Sequence, residues 1–263
     1  MKKLIACLSF LVFCSASVMA QENKNYSEQD IHFDVNQFLM LDKDNRPITG
    51  TVKVFFDHQK LEKEIPYIAG KKHGIETWYW SNGDKRFVVH WENGLKNGTL
   101  EEFLNDKTKS FLYTYVNGRK EGKQVTYHPN GNEEKVTYLR DGKEVMEIYK
   151  YDTGNNASEL KTMPNSREEK TYYKNGQLKY IGVTDKERVT RTLYYRSGQV
   201  ALEMTKVGKN IEGYVYSLSG KKTKLPSDKA AKIDLFFMHG FFRHPDTEDG
   251  WDELTDRLLE ILL

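Results

Sequence analysis

The feature that most constrains the fold of this chain is a repeat of about 24 residues that persists at several positions at once. A first glycine column and an aromatic column keep this spacing: Gly50, Gly74, Gly98, Gly122, and Phe55, Tyr79, Phe103, Tyr127. A second glycine column and a second aromatic column follow the same step: Gly70, Gly94, Gly118, Gly142, and Tyr67, Trp91, Tyr115. The second aromatic column fades at Leu139. This agreement indicates an array of one small unit, and such arrays usually bind or scaffold rather than catalyse.

Each unit has the pattern of a β-hairpin. Runs rich in aromatic and β-branched residues are separated by Asn82-Gly83 and by Asn93-Gly94. Asn-Gly is a strong signal for a two-residue turn in which both positions have a positive φ. Because side chains alternate along a strand, two sets are expected to take opposite faces. These sets are Ile75, Thr77, Tyr79 and Glu76, Trp78, Trp80.

The spacing changes in the second half of the chain. Three turn signals there, Asn175-Gly176, Ser197-Gly198 and Ser219-Gly220, recur with a shorter period of about 22 residues. The preceding segment, 152–167, contains turn residues and no aromatic side chain, which predicts a loop or a break. We therefore expect two blocks of repeats, at 46–151 and 168–224, in one continuous or kinked sheet of about fourteen to sixteen strands.

Two stretches resemble the MORN repeat in its second, bacterial variant. They are Trp91-Glu-Asn-Gly94-Leu-Lys-Asn-Gly98 and Tyr172-Tyr173-Lys-Asn-Gly176-Gln-Leu-Lys. The resemblance implies a mainly β protein, an elongated, meandering antiparallel sheet of stacked hairpins that does not close into a barrel. The chain departs from the variant at Asp106-Lys107, which replaces Asn-Gly, and at Gly142, which has no glycine four residues later.

Residues 1–20 have the pattern of a secretory signal peptide. Two lysines precede an apolar run, and the small residues Val18 and Ala20 occupy the cleavage positions. We expect an exported chain that begins at Gln21 and is periplasmic or secreted. A lipoprotein signal ending at Cys7 is the weaker alternative, because no apolar segment precedes it. Both cysteines lie inside the signal, so the processed chain is expected to lack thiol chemistry.

The charge balance gives no support for a polyanionic partner. Removing the two signal lysines from the 40 basic residues leaves 38, which equals the 38 acidic residues. A neutral total gives no support for binding nucleic acid or anionic lipid. After the signal, no stretch approaches the roughly 20 apolar residues that a membrane-spanning helix needs.

Patterns that indicate catalysis or metal binding are weak. The apolar run before His239-Gly240 is similar to the strand and turn of the α/β-hydrolase oxyanion hole, but the Gly-x-Ser-x-Gly elbow is missing. His239, His244 and Asp246 could together ligate a metal, although isolated histidines are more often structural. We therefore expect no enzyme activity, no metal and no cofactor.

The segment 225–263 contains an acidic, amphipathic stretch. From Asp246 onward it has seven acidic residues against one basic residue, Arg257. Its apolar residues fall largely on one helical face: Trp251, Leu254, Leu258, Leu259, Ile261 and Leu262. We expect a helix that covers an open end or face of the sheet, as terminal caps do in repeat proteins. The alternative is a detachable helix that docks on a partner.

The two faces of the predicted sheet differ in character. The repeated aromatic column has the register of a structural ladder on one face. The opposite face is apolar in the first units, so it needs cover from the N-terminal segment 21–45, from the C-terminal helix or from another protein. If another protein covers it, Phe56, Trp78 and Trp80 are the expected anchors, because aromatic residues dominate binding hot spots.

The resemblance implies two functional hypotheses. Many bacterial proteins of this repeat variant are named as antitoxin or immunity components, and others are envelope proteins without an assigned role. The first hypothesis is therefore an exported binding protein that neutralises a toxin by occluding its active site. The alternative is a structural protein that uses the sheet as a scaffold for attachment or self-association in the envelope. No feature of the sequence separates these two.

Overall fold

The structure, a computed structural model, describes residues 24–238, which form one long sheet, a separate hairpin, a short 3-10 helix at Glu28–Asp30 and one α-helix. Helix α1 spans Ser227–Met238, and none of the helical segments in this range has the length and apolar character that a membrane crossing requires. In chain order, the strands are β1 (Asn25–Tyr26), β2 (Ile31–Asp34), β3 (Leu39–Asp42), β4 (Gly50–Phe55), β5 (Leu61–Ile68), β6 (Lys71–Lys72), β7 (Gly74–Tyr79), β8 (Lys85–Glu92), β9 (Leu95–Phe103), β10 (Lys109–Val116), β11 (Arg119–Tyr127), β12 (Glu133–Arg140), β13 (Lys143–Lys150), β14 (Asn156–Met163), β15 (Ser166–Tyr172), β16 (Leu178–Asp185), β17 (Arg188–Tyr194), β18 (Val200–Val207), β19 (Asn210–Tyr216) and β20 (Lys222–Lys224).

The main sheet is an open antiparallel meander. Along the chain from β4, each strand pairs with its successor, with β6 and β7 both on β5, and β1 adds to β4 in parallel. Strands β2 and β3 form a separate two-stranded sheet, and Leu41 of β3 also makes an isolated bridge to Pro47. Within the described range β20 pairs only with β19, so no barrel forms. The predicted fold class is confirmed, although the repeat region has seventeen strands, β4–β20, rather than about sixteen at most.

One row of directly paired residues crosses the sheet from β4 to β19. Directly paired residues have their side chains on the same face, so this row defines what we call the front face. The row contains, in order, Val54, Lys63, Trp78, Phe87, Glu102, Phe111, Thr126, Lys135, Tyr149, Ser158, Thr171, Tyr180, Leu193, Leu202 and Val215.

At one end of the strands, the turns contain three residues. The carbonyl of Trp80 accepts a hydrogen bond from the N–H of Gly83 at 2.8 Å, and the N–H of Trp80 donates to the carbonyl of Asp84 at 2.8 Å. Gly83 has a φ of 92°, whereas Asn82 does not have a positive φ, so this turn is not the predicted two-residue type. The same pair of bonds recurs in the turns that contain Gly131, Gly176, Gly198 and Gly220.

At the other end of the strands, the first turns contain two residues. Asn93 and Gly94 both have a positive φ, of 51° and 83°, which is the type I′ geometry that Asn-Gly predicts. The N–H of Gly94 also donates to the carbonyl of Lys72 at 2.8 Å, and Gly118 makes the equivalent bond to Lys96. These turns therefore tie each repeat to the one before it.

A bulge beside the two-residue turns accounts for the change of period. Val89 pairs with Leu100 and Trp91 pairs with Lys96, so His90 alone faces three residues. The second strand of this hairpin therefore has two additional residues at the bulge. A bulge with two additional residues also occurs between β5 and β7 and between β10 and β11. One additional residue occurs between β12 and β13, and the later hairpins have none at this end. The loss of two residues from each repeat converts the longer period into the shorter one.

The first glycine column serves this geometry. Gly74, Gly98 and Gly122 have φ values of 97°, 111° and 70°, which favour glycine. Gly50 has a φ of 142°, and a Cβ there would lie 2.2 Å from the carbonyl oxygen of Lys24, beside β1. A side chain at this position would displace the strand that begins the sheet.

We expect Gly98→Ala to destabilise the protein by about 1–3 kcal/mol, because an alanine there is strained. Its Cβ would lie 2.9 Å from the Cβ of His90, at a φ of 111°. Gly122→Ala is the matched control, since its φ is 70° and its Cβ would meet no atom within 4 Å. Thermal unfolding of the two variants measures the difference. A melting temperature for Gly98→Ala at or above that of Gly122→Ala would contradict this account.

The segment 152–167 is not a loop, and that prediction was wrong. The turn after Tyr151 has the same bonds as the other three-residue turns, with the N–H of Gly154 donating to Tyr151 at 2.8 Å. Strand β14 then pairs with β13 from Asn156 to Lys161 and with β15 from Ser158 to Met163. The backbone ladder supports this strand without aromatic side chains, and the small side chain of Ala157 is buried. The two blocks of repeats are therefore continuous.

Separate apolar cores lie at the two ends of the front face. At the first end, Val52 packs with Tyr26 of the N-terminal segment. At the other end, Leu202 packs with Ile233 and Phe237 of α1. The chain itself therefore covers both ends of this face.

Helix α1 lies within the segment 225–263, for which a capping helix was expected, but upstream of the stretch from Asp246 onward that carried the predicted pattern. Its buried residues Ala230, Ile233 and Phe237 follow a helical spacing. The apolar run that begins at Leu235 belongs to this helix as far as Met238 and is not a strand. The predicted helix from Asp246 onward and the signal peptide both lie outside the described residues.

Candidate protein-binding face

The middle of the front face carries a group of interacting aromatic rings. Trp78 meets Phe87 edge to face with centroids 6.1 Å apart, and Phe87 lies 6.4 Å from Phe111. Phe111 stacks on Tyr113 with centroids 4.4 Å apart and an interplanar angle of 13°. All four rings are half-buried. Trp78, Phe87 and Phe111 belong to the row of directly paired residues that crosses the front face, so strand register brings their rings together.

Four lysines lie against these rings and their neighbours. An ammonium group over a ring face is attracted by the quadrupole of the ring. The distances from Nζ to the ring centroid are 5.1 Å for Lys63 and Trp78, 4.6 Å for Lys72 and Trp91, 5.1 Å for Lys96 and Tyr115, and 3.6 Å for Lys120 and Tyr113. We call these ten residues the lysine–aromatic patch: Trp78, Phe87, Trp91, Phe111, Tyr113, Tyr115, Lys63, Lys72, Lys96 and Lys120.

A buried carboxylate orders one side of the patch. Glu76 is only 3% exposed, and it accepts hydrogen bonds from Nε1 of Trp78 at 2.6 Å and from Nζ of Lys72 at 2.7 Å. Burial and the charge of Glu76 raise the pKa of Tyr67 to about 12. The orientation of the Trp78 indole is therefore fixed by a charged acceptor.

The other side of the patch carries positive charge without a carboxylate partner. Lys63 pairs with Glu28 at 3.5 Å and Lys72 pairs with Glu76, whereas Lys96 and Lys120 form no ion pair with any residue in 24–238. Burial and the charge of Lys96 lower the pKa of Lys120. Two neighbouring, unneutralised ammonium groups favour a ligand that brings negative charge.

The patch lies between the two covered ends of the front face. The N-terminal segment packs on β4 and β5, and α1 packs on strands β16–β19. The patch belongs to β5–β11, where its aromatic side chains remain half-buried. Aromatic rings left partly exposed in one contiguous area are characteristic of an interaction surface.

Only one of the three predicted partner-binding residues lies in this patch. Trp78 is at its edge. Trp80 lies at a three-residue turn, where its Nε1 donates to the carbonyl of Phe103 at 3.1 Å and the guanidinium of Arg86 lies 4.4 Å from its ring. Phe56 lies at the preceding turn and stacks on His58 with centroids 5.4 Å apart.

Trp80 is the first member of a ladder of side-chain bonds between repeats. In several repeats, the side chain of the residue just before a three-residue turn donates a hydrogen bond to a backbone carbonyl. That carbonyl belongs to the last residue of the strand that leads into the next three-residue turn. The later bonds join the hydroxyl of Tyr151 to Tyr172 at 3.0 Å, of Tyr173 to Tyr194 at 2.9 Å, and of Tyr195 to Tyr216 at 2.8 Å. This position therefore has a structural role.

The predicted structural column also makes contacts along the sheet. The hydroxyl of Tyr79 donates to Glu64 at 2.7 Å, and burial together with this bond raises the pKa of Tyr79 to about 12. The ammonium of Lys109 lies 5.4 Å from the ring of Phe103 and 5.9 Å from that of Tyr127. Phe55, the first member, is 52% exposed.

The lysines of the patch were missed, although the sequence contains their signal. Lys72, Lys96 and Lys120 recur with the same longer period as the first glycine column, each two positions before one of its glycines. The series ends at Glu144, in the same repeat in which Leu139 ends the aromatic column Tyr67, Trp91, Tyr115. A lysine column that stops in the same repeat as an aromatic column predicts that the lysines and the aromatic rings lie on one surface. The glycine and aromatic columns alone do not predict this surface.

No cluster of three or more histidine, cysteine or acidic side chains suited to a metal occurs within residues 24–238. The candidate ligands His239, His244 and Asp246 lie outside that range, as does the His239-Gly240 turn. The patch can stack on apolar groups and pair with carboxylates.

Comparison with known proteins identifies the repeat. Residues 72–93 and 168–185 match a family model described as MORN repeat variant. No curated protein matches the sequence. Among solved structures, the chain is similar to a chain in the "Crystal Structure of TcdB2-TccC3-TEV", with a TM-score of 0.21 and 10% identity over 72% of this chain and 14% of that chain. A likeness at that score supports no inference about function. One matched segment lies among the bulged hairpins and the other among the regular ones, so each block of this sheet contains a segment similar to that repeat.

Proposed function

We propose that this chain is an exported, non-enzymatic protein-binding module of the antitoxin or immunity type, and that the lysine–aromatic patch docks its partner. The observation that carries the proposal is the combination of half-buried rings with Lys96 and Lys120, which have no carboxylate partner within residues 24–238. Aromatic anchors supply most of the binding energy in many interfaces, and complementary charge selects the partner. The partner is expected to present acidic and apolar side chains together.

The signal pattern in residues 1–20 supports the proposed export, which would put the interaction outside the cytoplasm. A toxin that acts in the periplasm or the surroundings would then be occluded by docking on the sheet. We expect mature protein recovered from the periplasm or the medium to begin at Gln21 on N-terminal sequencing. Cytoplasmic protein that retains Met1, or an acylated amino-terminal cysteine, would contradict this.

A structural role in the envelope is the second candidate. It is favoured by the open meander, whose last strand pairs on one side only within the described range. The strand concerned, β20, has three residues, two of them lysines, and short lysine-bearing edges oppose further pairing. A protein that stays monomeric at high concentration in sedimentation experiments would exclude self-association through this edge.

The double substitution Lys96→Gln and Lys120→Gln is expected to weaken partner binding at least about tenfold, because it removes the unneutralised charge of the patch. The melting temperature should fall only slightly, because neither lysine has an ion pair within the described residues and a cation–π contact at the surface is worth only about 0.5–1 kcal/mol. The measurement is the affinity of the purified variant for the partner protein, recovered from the native host with the wild-type chain, with thermal unfolding in parallel.

Lys143→Gln with Lys186→Gln is the matched control, because both of these lysines are exposed and lie away from the patch. Trp78→Ala is a second variant, expected to cost about 2 kcal/mol or more of binding. It is less clean, since its indole also bonds Glu76. Equal partner affinity for the Lys96→Gln, Lys120→Gln variant and the control variant would contradict the proposal.

A further inference from the structure

Helix α1 lies across the strands of the front face and points toward the lysine–aromatic patch. Just before the helix, the N–H of Leu225 donates to the carbonyl of Gly213 in β19 at 2.9 Å. Near its end, Phe237 stacks on Tyr180 of β16 with centroids 5.4 Å apart. Asp234 between them pairs with Arg191 of β17. The helix thus runs from β19 to β16.

The same face continues from α1 to the patch. Tyr180 and Phe111 belong to the one row of paired residues that crosses the sheet, so their side chains share a face. Strand β11 is five strands from β16, which is about 24 Å at the usual strand spacing. Residues 239–245, if extended, span about 23–25 Å. The acidic stretch that begins at Asp246 can therefore reach the patch.

The chemistry of that stretch complements the patch. Between Asp246 and Glu260 there are seven acidic residues and one basic residue, and Trp251, Leu254 and Leu258 follow a helical spacing. Fifteen residues in a helix span about 22 Å, close to the distance from β11 to β7. Its acids match the two lysines that have no carboxylate partner within residues 24–238, and its apolar residues match the half-buried rings.

We propose that residues 246–260 dock on the lysine–aromatic patch of their own chain and occupy the surface that a partner must use. This inference rests on the proposed function only for the identity of that competing partner. The docked segment neutralises Lys96 and Lys120, and it shields the rings until a tighter ligand displaces it. A partner that competes must present the same chemistry, an acidic amphipathic segment.

Zero-length carbodiimide cross-linking of the full-length monomer tests the docking. Amide links are expected between the acids of 246–260 and Lys96 or Lys120, and they should weaken with salt because the attraction is electrostatic. The exposed lysines Lys143 and Lys186 serve as internal controls. Links distributed equally over control and patch lysines would overturn the proposal. A mixture of isotopically light and heavy protein separates links within a chain from links between chains, and links only between chains would also overturn it.

Peptide binding tests the competition. The probe is a synthetic peptide with the sequence of residues 246–260. The full-length variant with Asp252→Asn, Glu253→Gln and Asp256→Asn is expected to bind this peptide at least tenfold more tightly than the wild type, because its own segment no longer occupies the patch. Adding Lys96→Gln and Lys120→Gln should abolish the gain, whereas Lys143→Gln with Lys186→Gln should preserve it. Equal affinity of the wild type and the acid-neutralised variant would overturn the inference.

The two proposals fail in different ways. If partner affinity is insensitive to the patch substitutions while cross-links and peptide binding follow the pattern above, the docking stands and the proposed partner surface is wrong. If the cross-links and the peptide effect are missing while the patch substitutions abolish partner binding, the surface stands and the intramolecular docking is wrong.

Discussion

Asp234→Ala is expected to lower the free energy of unfolding by about 3 kcal/mol or more, because it leaves two cations without their shared carboxylate under α1. The Asp234 side chain is 3% exposed, contacts Nη1 of Arg191 and lies 2.8 Å from Nζ of Lys206. Urea unfolding of the full-length protein measures the loss. Lys232→Ala, an exposed position on the same helix, is the control and should change stability little. A loss for Asp234→Ala that is no larger than the control loss would show that α1 docks without this ion pair.

The same carboxylate makes the docking of α1 sensitive to acid. Burial opposes ionisation of Asp234, but the hydrogen bonds from Lys206 and Arg191 outweigh it and lower its pKa below the ordinary 3.8. Because the pKa is lower in the folded state, the stabilisation is complete above the unfolded pKa and is lost as pH falls through the folded pKa. Asp234→Asn should therefore flatten the decline in stability below about pH 4. A variant with an unchanged acid profile would assign that decline to other groups.

Leu202→Ala is expected to cost about 2–5 kcal/mol, because it leaves a cavity in a core that cannot collapse freely. Leu202 has no exposed surface and is paired with Leu193 and Val215, which lie beneath α1. Leu218→Ala is the control, because Leu218 is 65% exposed at the last three-residue turn. Denaturant unfolding should separate the two variants clearly. Similar midpoints would mean that α1 and the last strands are not one cooperative unit.

The sequence was sufficient to predict the hairpins and most of their turns, because glycine and asparagine at fixed spacing reflect backbone requirements. Few residues other than glycine adopt the positive φ found at Gly94 and Gly83, so these turn positions can be predicted from the sequence. The open meander was implied by the resemblance to the MORN repeat. Trp78 was also placed on the correct face by strand alternation.

Other features depend on long-range pairing and could not be read from local pattern. The segment 152–167 lacks aromatic residues, but β14 forms because both neighbouring strands complete its ladder. Trp80 alternates onto the same side as Trp78 in sequence, yet the turn geometry directs its indole to Phe103. Helix α1 is short, and its apolar spacing gains meaning only when the core beneath it is known. The lysine column could have been found, since its period is visible.

The bonds between successive turns restrict how a sheet of this kind can change in length. Each tyrosine at a three-residue turn, such as Tyr173, reaches only to the carbonyl of the next repeat, at Tyr194. Deleting or duplicating a whole hairpin leaves every such bond with an equivalent partner. Deleting a single strand reverses the direction of all that follow and places each turn at the wrong end. Insertions and losses during evolution are therefore expected in units of one whole hairpin, so the length of the protein is quantised.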